Sequence, residues 1–323
     1  MPGILAVGEV LIDFTPYGLS DKGDPLFEQN PGGAPANVAA MVSKLGGEAS
    51  LAAKVGRDGF GEVLARTLEE IGVDASRLVV TGEANTTLAF VHLDDDGERS
   101  FSFYRKPGAD ALLEVTDIPN SAIEAADLLH AGSVSLTKEP ARSATLSAVR
   151  RAATMGKTIS FDPNIREKLI GDLDRLLFDI RGILPFVRYL KVAEEELELI
   201  ADEPDVKIAC RALNRQFGIP VIIVTRGSRG SMLYAEGRFS EVPGFPVRRV
   251  DATGAGDAFW GAFLYRLTQG GFVENIPGVP ALIEFCRFAG AAGALACTKR
   301  GGIPALPNLE EINGFMSGKG QSR

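Results

Sequence analysis

The sequence predicts a three-layer α/β fold, in which a mostly parallel central sheet lies between two layers of helices and carries a small β-sheet lid. Three observations predict it. Short apolar runs alternate with segments of helical periodicity along most of the chain, the pattern of parallel strands joined by crossover helices. Glycines follow several of the helical segments, where a left-handed cap would end them. Residues 86–104 break the alternation with two β-rich runs around an acidic, glycine-ended turn, a hairpin signal. No internal repeat or low-complexity linker interrupts the 323 residues, so a single domain over 1–323 is expected, its lid formed by segments near 13–31 and 86–108.

The elements follow in order. Residues 4–7 form a short apolar run closed by Gly8, and residues 32–47 begin with glycines and continue with Ala and Val at helical spacing. A second strand is predicted at 50–55, and a helix at 60–71 stopped by Gly72. The hairpin pairs 87–93 with 99–104 around Asp94-Asp95-Asp96-Gly97, a solvated turn. Alternation then resumes with strands at 128–130, 158–161, 189–192 and 221–225, and helices at 139–155, 194–201 and 206–217. Further β structure is predicted over 231–245, and two long helices over 255–268 and 281–297.

Composition narrows the function. Charged residues make up 24% and apolar residues 45% of the chain, an ordinary balance for a globular enzyme. A formal net charge of −8 argues against general binding to nucleic acid or anionic membranes. The three cysteines, Cys210, Cys286 and Cys297, show no C-x-x-C spacing and read as thiols rather than a metal or disulfide framework. The N-terminus lacks a basic start before its apolar run, and no apolar run approaches the ~20 residues that span a bilayer. A cytoplasmic protein with small-molecule partners is the expectation.

The segment that carries chemistry is Val250-Asp251-Ala252-Thr253-Gly254-Ala255-Gly256-Asp257. Small residues directly before a helix let backbone N–H groups converge on an anion, and the helix N-terminus adds donors and a positive dipole end. Asp257 stands beside that pocket, placed to accept a proton from an attacking hydroxyl. Phosphoryl transfer needs both parts. The plainer reading is a glycine-rich helix entry with Asp257 as a favourable first-turn acid.

The octet resembles the D-T-x-G-A-G-D signature of the ribokinase/PfkB carbohydrate kinase family, with Ala252 in place of Thr. Near the other end, Gly32-Gly33-Ala34-Pro35-Ala36-Asn37-Val38-Ala39 resembles that family's sugar-binding G-G-x-x-x-N-x-A element. The resemblance covers nearly the whole chain and implies a ribokinase-like fold and an ATP-dependent sugar kinase. By the same resemblance Asp257 is the base, the Gly254-Ala255-Gly256 backbone is the anion hole, and Arg166 of Asp162-Pro163-Asn164-Ile165-Arg166 approaches sugar or phosphate. Asp13, closing Gly8-Glu9-Val10-Leu11-Ile12-Asp13, would bind sugar hydroxyls with Gly32, Gly33 and Asn37. Thr225, Gly227 and Gly230 resemble the nucleotide-binding turn. Gly290 falls on the adenine-side helix, where many relatives have Asn.

The family's N-x-x-E element, whose Glu orders Mg²⁺ through water, aligns with Glu196; Glu195 is the alternative. Backbone carbonyls of Asp251 and Thr253 are candidates for a monovalent cation such as K⁺. No Walker A motif occurs, which excludes a P-loop kinase, and the first strand is not followed by the G-x-G-x-x-G of a dinucleotide-binding dehydrogenase. The segment from Phe101 to Asp110 resembles the F-Y-R-x-P-x-A-D of bacterial and plant fructokinases, implying substrate contacts at Phe103 and Arg105, and Thr298–Pro304 resembles their T-K-x-G-x-I-P tail. D-Fructose is therefore the expected acceptor, with 2-keto-3-deoxygluconate the alternative if Arg105 and Arg166 serve a carboxylate. A non-catalytic binding or scaffold relative would lack the glycines or the base, which are present. Dimerisation through the lid is common in the family; Phe101 and Phe103 would suit it, or would pack inside the monomer.

Overall fold

A computed structural model describes residues 3–93 and 99–318. The acidic turn predicted at Asp94–Gly97 lies outside the described residues. The first strand, β1 (Gly3–Val7), is followed by β2 (Leu11–Leu19) and β3 (Pro25–Gly32), then α1 (Ala34–Lys44), β4 (Glu48–Gly56), α2 (Gly59–Ile71) and β5 (Leu78–Thr81). Next come β6 (Leu88–Leu93), β7 (Arg99–Tyr104), α3 (Asn120–Ala125), β8 (Leu128–Ala131), α4 (Ala141–Thr154) and β9 (Thr158–Phe161). The chain continues through α5 (Leu173–Ile183), β10 (Tyr189–Ala193), α6 (Glu194–Ala201), α7 (Val206–Phe217) and β11 (Val221–Thr225). It ends with β12 (Ser231–Ala235), β13 (Arg238–Val242), α8 (Ala255–Gln269), α9 (Val279–Ala296) and α10 (Leu309–Met316).

Nine strands form the main sheet in the order β13-β12-β11-β10-β9-β8-β1-β4-β5. Pairing is parallel from β5 to β11, and β12 and β13 close one edge antiparallel. Strand alternation explains why the inner strands are apolar throughout. In β1, Ile4 and Ala6 join the core that includes α1, α2, α8 and α9, while Leu5 and Val7 join the core on the face of α3 to α7. In β11, Val221 and Ile223 take the first face and Ile222 and Val224 the second. A sheet covered on both faces must be apolar on both, so period two disappears and continuous runs remain.

Helix ends follow local chemistry. Asp58 caps α2 by accepting from the N–H groups of Phe60 and Gly61 at 3.1 and 2.9 Å, and Gly72 ends it at φ 85°. Asp205 and Gly218 do the same for α7. The helix α9 is long and apolar enough to cross a membrane; here its Phe285, Phe288, Ala289 and Ala292 are buried in the core shared with α8. Elements outside the sequence prediction are α3, α5, α10 and β5; the lid segment near 13–31 resolves into β2 and β3, and 231–245 into β12 and β13.

The small sheet has the order β3-β2-β6-β7, with β2 and β6 parallel and both outer pairs antiparallel. Its two halves come from chain segments that leave the main sheet after β1 and after β5 and return before α1 and before α3. The lid is therefore rooted by four crossings at one end of the central strands, where open α/β folds hold their ligands. Phe14 stacks on Phe90 at 4.8 Å, and Phe27 and Tyr104 meet Phe90 edge-on, an aromatic face that stiffens so small a sheet.

Candidate active site

The site is built on the entry to α8. Gly254 caps the helix at φ 73° in the left-handed region, which a residue with a Cβ adopts only under strain, and a Cβ there would stand 3.2 Å from the Gly302 Cα. The turn before it is fastened by Asp251, whose carboxylate accepts from the N–H groups of Thr253 at 2.7 Å and Gly301 at 3.1 Å. Ala255 N–H is turned back to the Ala252 carbonyl at 3.2 Å. Of the three residues predicted as the anion hole, Gly254 and Gly256 therefore present their N–H groups without a protein acceptor among the described residues, and Ala255 closes the turn instead. Further along α8, the buried Trp260 donates to Ser160 of β9 at 2.9 Å, which holds the helix against the sheet.

Asp257 stands in the first turn of α8 and is buried. Its Oδ2 accepts from Asn37 Nδ2 at 2.7 Å and its Oδ1 from Asn164 Nδ2 at 2.9 Å. Asn37 comes from α1, 220 residues away in sequence, so the two glycine-bearing signatures meet at this carboxylate. The sequence reading quoted Asn164 without assigning it a role. Its signal was an Asn directly after Pro163 at a strand exit, and it adopts φ 46°, a conformation Asn tolerates better than most residues.

Around Asp257 lies a cavity of about 420 Å³. Asp13, Gly33, Asn37, Phe103, Arg166, Gly254 and Asp257, all predicted site residues, line it, as does Glu9. Asp13 lies in the lid strand β2, opposite Asn30, rather than at the end of the first strand. Gly32 closes β3 so near to it that a Cβ would meet Asp13 Oδ2 at 2.5 Å. Gly33, the N-cap of α1 at φ 107°, passes so close to the Glu9 carbonyl that a Cβ would be 2.7 Å from it. Burial pushes the Asp13 carboxyl up to about 7; the Arg166 guanidinium opposes that rise, and the Asp257 and Asp251 carboxylates add to it. Arg166 itself is exposed at the rim.

Arg105 stands apart from the other predicted substrate residues. It does not line the cavity. Its guanidinium is buried, bonded to Asp110 Oδ2 through Nε at 2.8 Å and paired with the same oxygen through Nη2 at 2.7 Å. Nη1 donates to Thr137 Oγ1 at 2.9 Å, and Thr87 Oγ1 donates to the other oxygen of Asp110. The resemblance placed Arg105 on the substrate; the fold places it in a buried ion pair at the root of the lid.

The predicted nucleotide residues sit outside this cavity. Thr225 ends β11, with Gly227 and Gly230 in the turn that follows, and Gly290 lies on α9 near Phe245. Glu196 turns inward, accepting from the N–H groups of Ile165 and Ala193 at 2.7 and 2.9 Å, whereas Glu195 is exposed. Burial and the nearby Asp162 carboxylate raise the Glu196 pKa, Lys191 opposing. Lys191 is paired with Asp162 at 2.6 Å, both buried, and Asp162 Oδ1 has no hydrogen-bond partner among the described residues. Lys191 Nζ also lies beneath Gly256, 3.3 Å from where a Cβ would stand. This cation under the helix entry was missed from sequence, because its partner is 29 residues away, just past the end of β9. Among the described residues, no group of three or more His, Cys, Asp or Glu side chains is arranged to hold a metal.

Residues 1–309 match the family described as pfkB family carbohydrate kinase. The chain belongs to this family. Curated relatives include fructokinase-1 of Zea mays, 41% identical over 311 residues, covering 96% of each chain. Among solved structures, a fructokinase double mutant from Vibrio cholerae O395 with fructose, ADP and a potassium ion bound is 33% identical with TM-score 0.88, covering 98% of each chain. A Xylella fastidiosa fructokinase with bound ATP is 35% identical with TM-score 0.88, covering 99% of each. The fold of this carbohydrate kinase is thus the ribokinase-like one that the two signatures implied.

Proposed function

We propose that the chain is a fructokinase, transferring the γ-phosphoryl group of ATP to D-fructose to give fructose 6-phosphate and ADP. The observation that carries this reading is the Asp257 carboxylate, oriented by Asn37 and Asn164 beside the open donors of the α8 entry. The acceptor hydroxyl donates its proton to Asp257 as its oxygen attacks the γ-phosphorus. Negative charge on the transferring group is met by the N–H groups of Gly254 and Gly256, by the N-terminal end of α8 and by Arg166. Lys191 adds a buried positive charge beneath Gly256.

Fructose is supported over 2-keto-3-deoxygluconate by the wall chemistry. The buried ionisable groups on the cavity are the carboxyls of Glu9, Asp13 and Asp257, which suit a neutral polyol; the lining cations, Arg166 and Lys168, are exposed. Arg105, which would have answered an acid sugar, is paired with Asp110. Similarity to the maize, Vibrio and Xylella fructokinases supports the same substrate. The thread of predicted nucleotide residues, Thr225, Gly227, Gly230 and Gly290, lies outside the sugar cavity and would take ATP.

Mg²⁺ accompanies the nucleotide in this reading. The unpartnered Asp162 Oδ1 and the Glu196 carboxylate beside it fit an ion that also takes phosphate oxygens and water. The ion would neutralise phosphate charge. For a monovalent cation, the turn pinned by Asp251 is a fixed arc of the kind carbonyl coordination needs, and the Asp251 and Thr253 carbonyls would hold it.

The test is ADP release from ATP and Mg²⁺ with D-fructose, 2-keto-3-deoxygluconate, D-ribose and adenosine at matched concentration. D-Fructose is expected to show the highest kcat/KM; a higher value for 2-keto-3-deoxygluconate would sink the substrate assignment and leave the kinase chemistry. A pH dependence is also expected. Glu9 and Asp13, both on the cavity wall, are pushed up to about 7 by burial, so lowering pH through neutrality protonates both and removes negative charge from the wall. kcat/KM for the sugar should therefore fall on the acid side, more steeply than one proton allows. A profile flat through neutrality shows that neither carboxylate has to be ionised.

A further inference from the structure

Glu9 is buried at 3% exposure, where the chain leaves β1 for the lid. Its two carboxyl oxygens have different fates. Oε1 accepts from the N–H of Ala34 in the first turn of α1 at 3.0 Å, a contact that the helix dipole favours and that fixes the direction of the side chain. Oε2 is buried with no hydrogen-bond partner among the described residues. Buried polar atoms nearly always have one, and leaving an acceptor unmatched is costly. The nearby cation, Arg105, is held by Asp110 and Thr137 and does not satisfy it. Burial pushes the Glu9 carboxyl up to about 7; its own backbone N–H, the Ala34 N–H and Arg105 oppose the rise, and the neighbouring Asp110 adds to it. Glu9 lies on the wall of the same cavity as Asp13 and Asp257.

A fixed acceptor without a donor, buried on a residue that lines a cavity suited to a polyol, is matched by a hydroxyl. We propose that Glu9 is a specificity-determining substrate contact, its Oε2 accepting a hydrogen bond from a sugar hydroxyl other than the one phosphorylated at Asp257. The inference rests on the sugar-kinase reading and deepens it. It also gives the Glu9 side chain two tasks. One oxygen anchors the helix that carries Asn37, and the other reads the ligand, so the contact is set by the same helix entry that orients the base.

The experiment is Glu9→Gln assayed against D-fructose and a set of its single-deoxy and epimeric analogues, with ATP KM and thermal midpoint measured in parallel. The amide keeps an acceptor for Ala34 and removes a buried charge, so the variant is expected to fold with a midpoint equal to or above that of the wild type. kcat/KM for D-fructose should fall about 10- to 100-fold, as loss of a hydrogen bond to a charged group implies, with ATP KM unchanged. One deoxy analogue, poor for the wild type, should lose its disadvantage in the variant. A uniform fall across all sugars with their ratios preserved would show a structural role and overturn the proposal; so would an unchanged D-fructose kcat/KM. Glu9→Asp, which keeps the charge but withdraws it by a methylene, should show the same selective signature. If the wild type itself prefers another sugar, the fructose reading fails, and Glu9 is judged on the deoxy series of that sugar.

Discussion

Asp257→Asn is expected to lower kcat for sugar phosphorylation about 10²- to 10⁴-fold, the share a positioned proton acceptor contributes. Two effects combine. The amide cannot take the hydroxyl proton, and its own N–H₂ must face either Asn37 Nδ2 or Asn164 Nδ2, both of which donate to the carboxylate. One of the two orienting hydrogen bonds is therefore lost along with the base. Sugar KM should change less than kcat, because the cavity wall at Asp13 and Glu9 is untouched, and ATP KM should hold. Steady-state ADP release with both substrates varied separates these constants. Near-wild-type turnover would remove Asp257 as the base and leave it an orienting acid at a helix entry.

Arg105→Ala is expected to act on stability before it acts on catalysis. Truncating one partner of a buried pair leaves the other charge uncompensated, at a cost of about 3–5 kcal/mol. Here the stranded group is Asp110, whose remaining contact is the Thr87 hydroxyl. Denaturant unfolding should show the midpoint falling sharply. Combining Arg105→Met with Asp110→Asn removes both charges, keeps an acceptor for Thr87, and should recover much of the loss. A different outcome, in which stability is preserved and sugar KM rises, would return Arg105 to the substrate, where resemblance alone had put it.

These two residues mark how far the sequence could be read. The glycine-rich entry before Asp257 is local: small residues, a helix start and an acid in the first turn occupy eight consecutive positions, so the chemistry they permit is visible without coordinates. Arg105 also lies in a recognisable segment, but its role depends on what its guanidinium reaches. Asp110 is only five residues away, yet Thr137 is 32 residues off on the other side of the lid root, and no periodicity reports such a partner. The same limit explains Asn164, Lys191 and Glu9. Each stands inside or beside a segment that was singled out, and each acquires its role from a group on another element.

Secondary structure divides along similar lines. The inner strands were legible because a sheet buried on both faces needs continuous apolar runs, and the helices α2 and α7 carry an acidic cap and a terminal glycine. The strands β2 and β3 were harder, since they carry Asp13, Thr15, Glu28 and Asn30 among their apolar residues, Asp13 on the cavity and Asn30 bonded to Thr15. Polar residues within lid strands break the alternation by which half-buried strands are recognised.

By itself, then, the sequence determined the layered α/β architecture, the glycine-lined helix entry and the acid that stands in it, because burial periodicity and backbone freedom are local properties of the chain. Only the tertiary structure decided which polar groups are matched and which are left unmatched in the cavity wall. That Arg105 is held by Asp110 while Glu9 keeps an unpartnered oxygen follows from distances across the four lid crossings. The physical reason is that a hydrogen bond or ion pair is directional and short in reach, so its partner is chosen by the packed fold and not by neighbours in sequence.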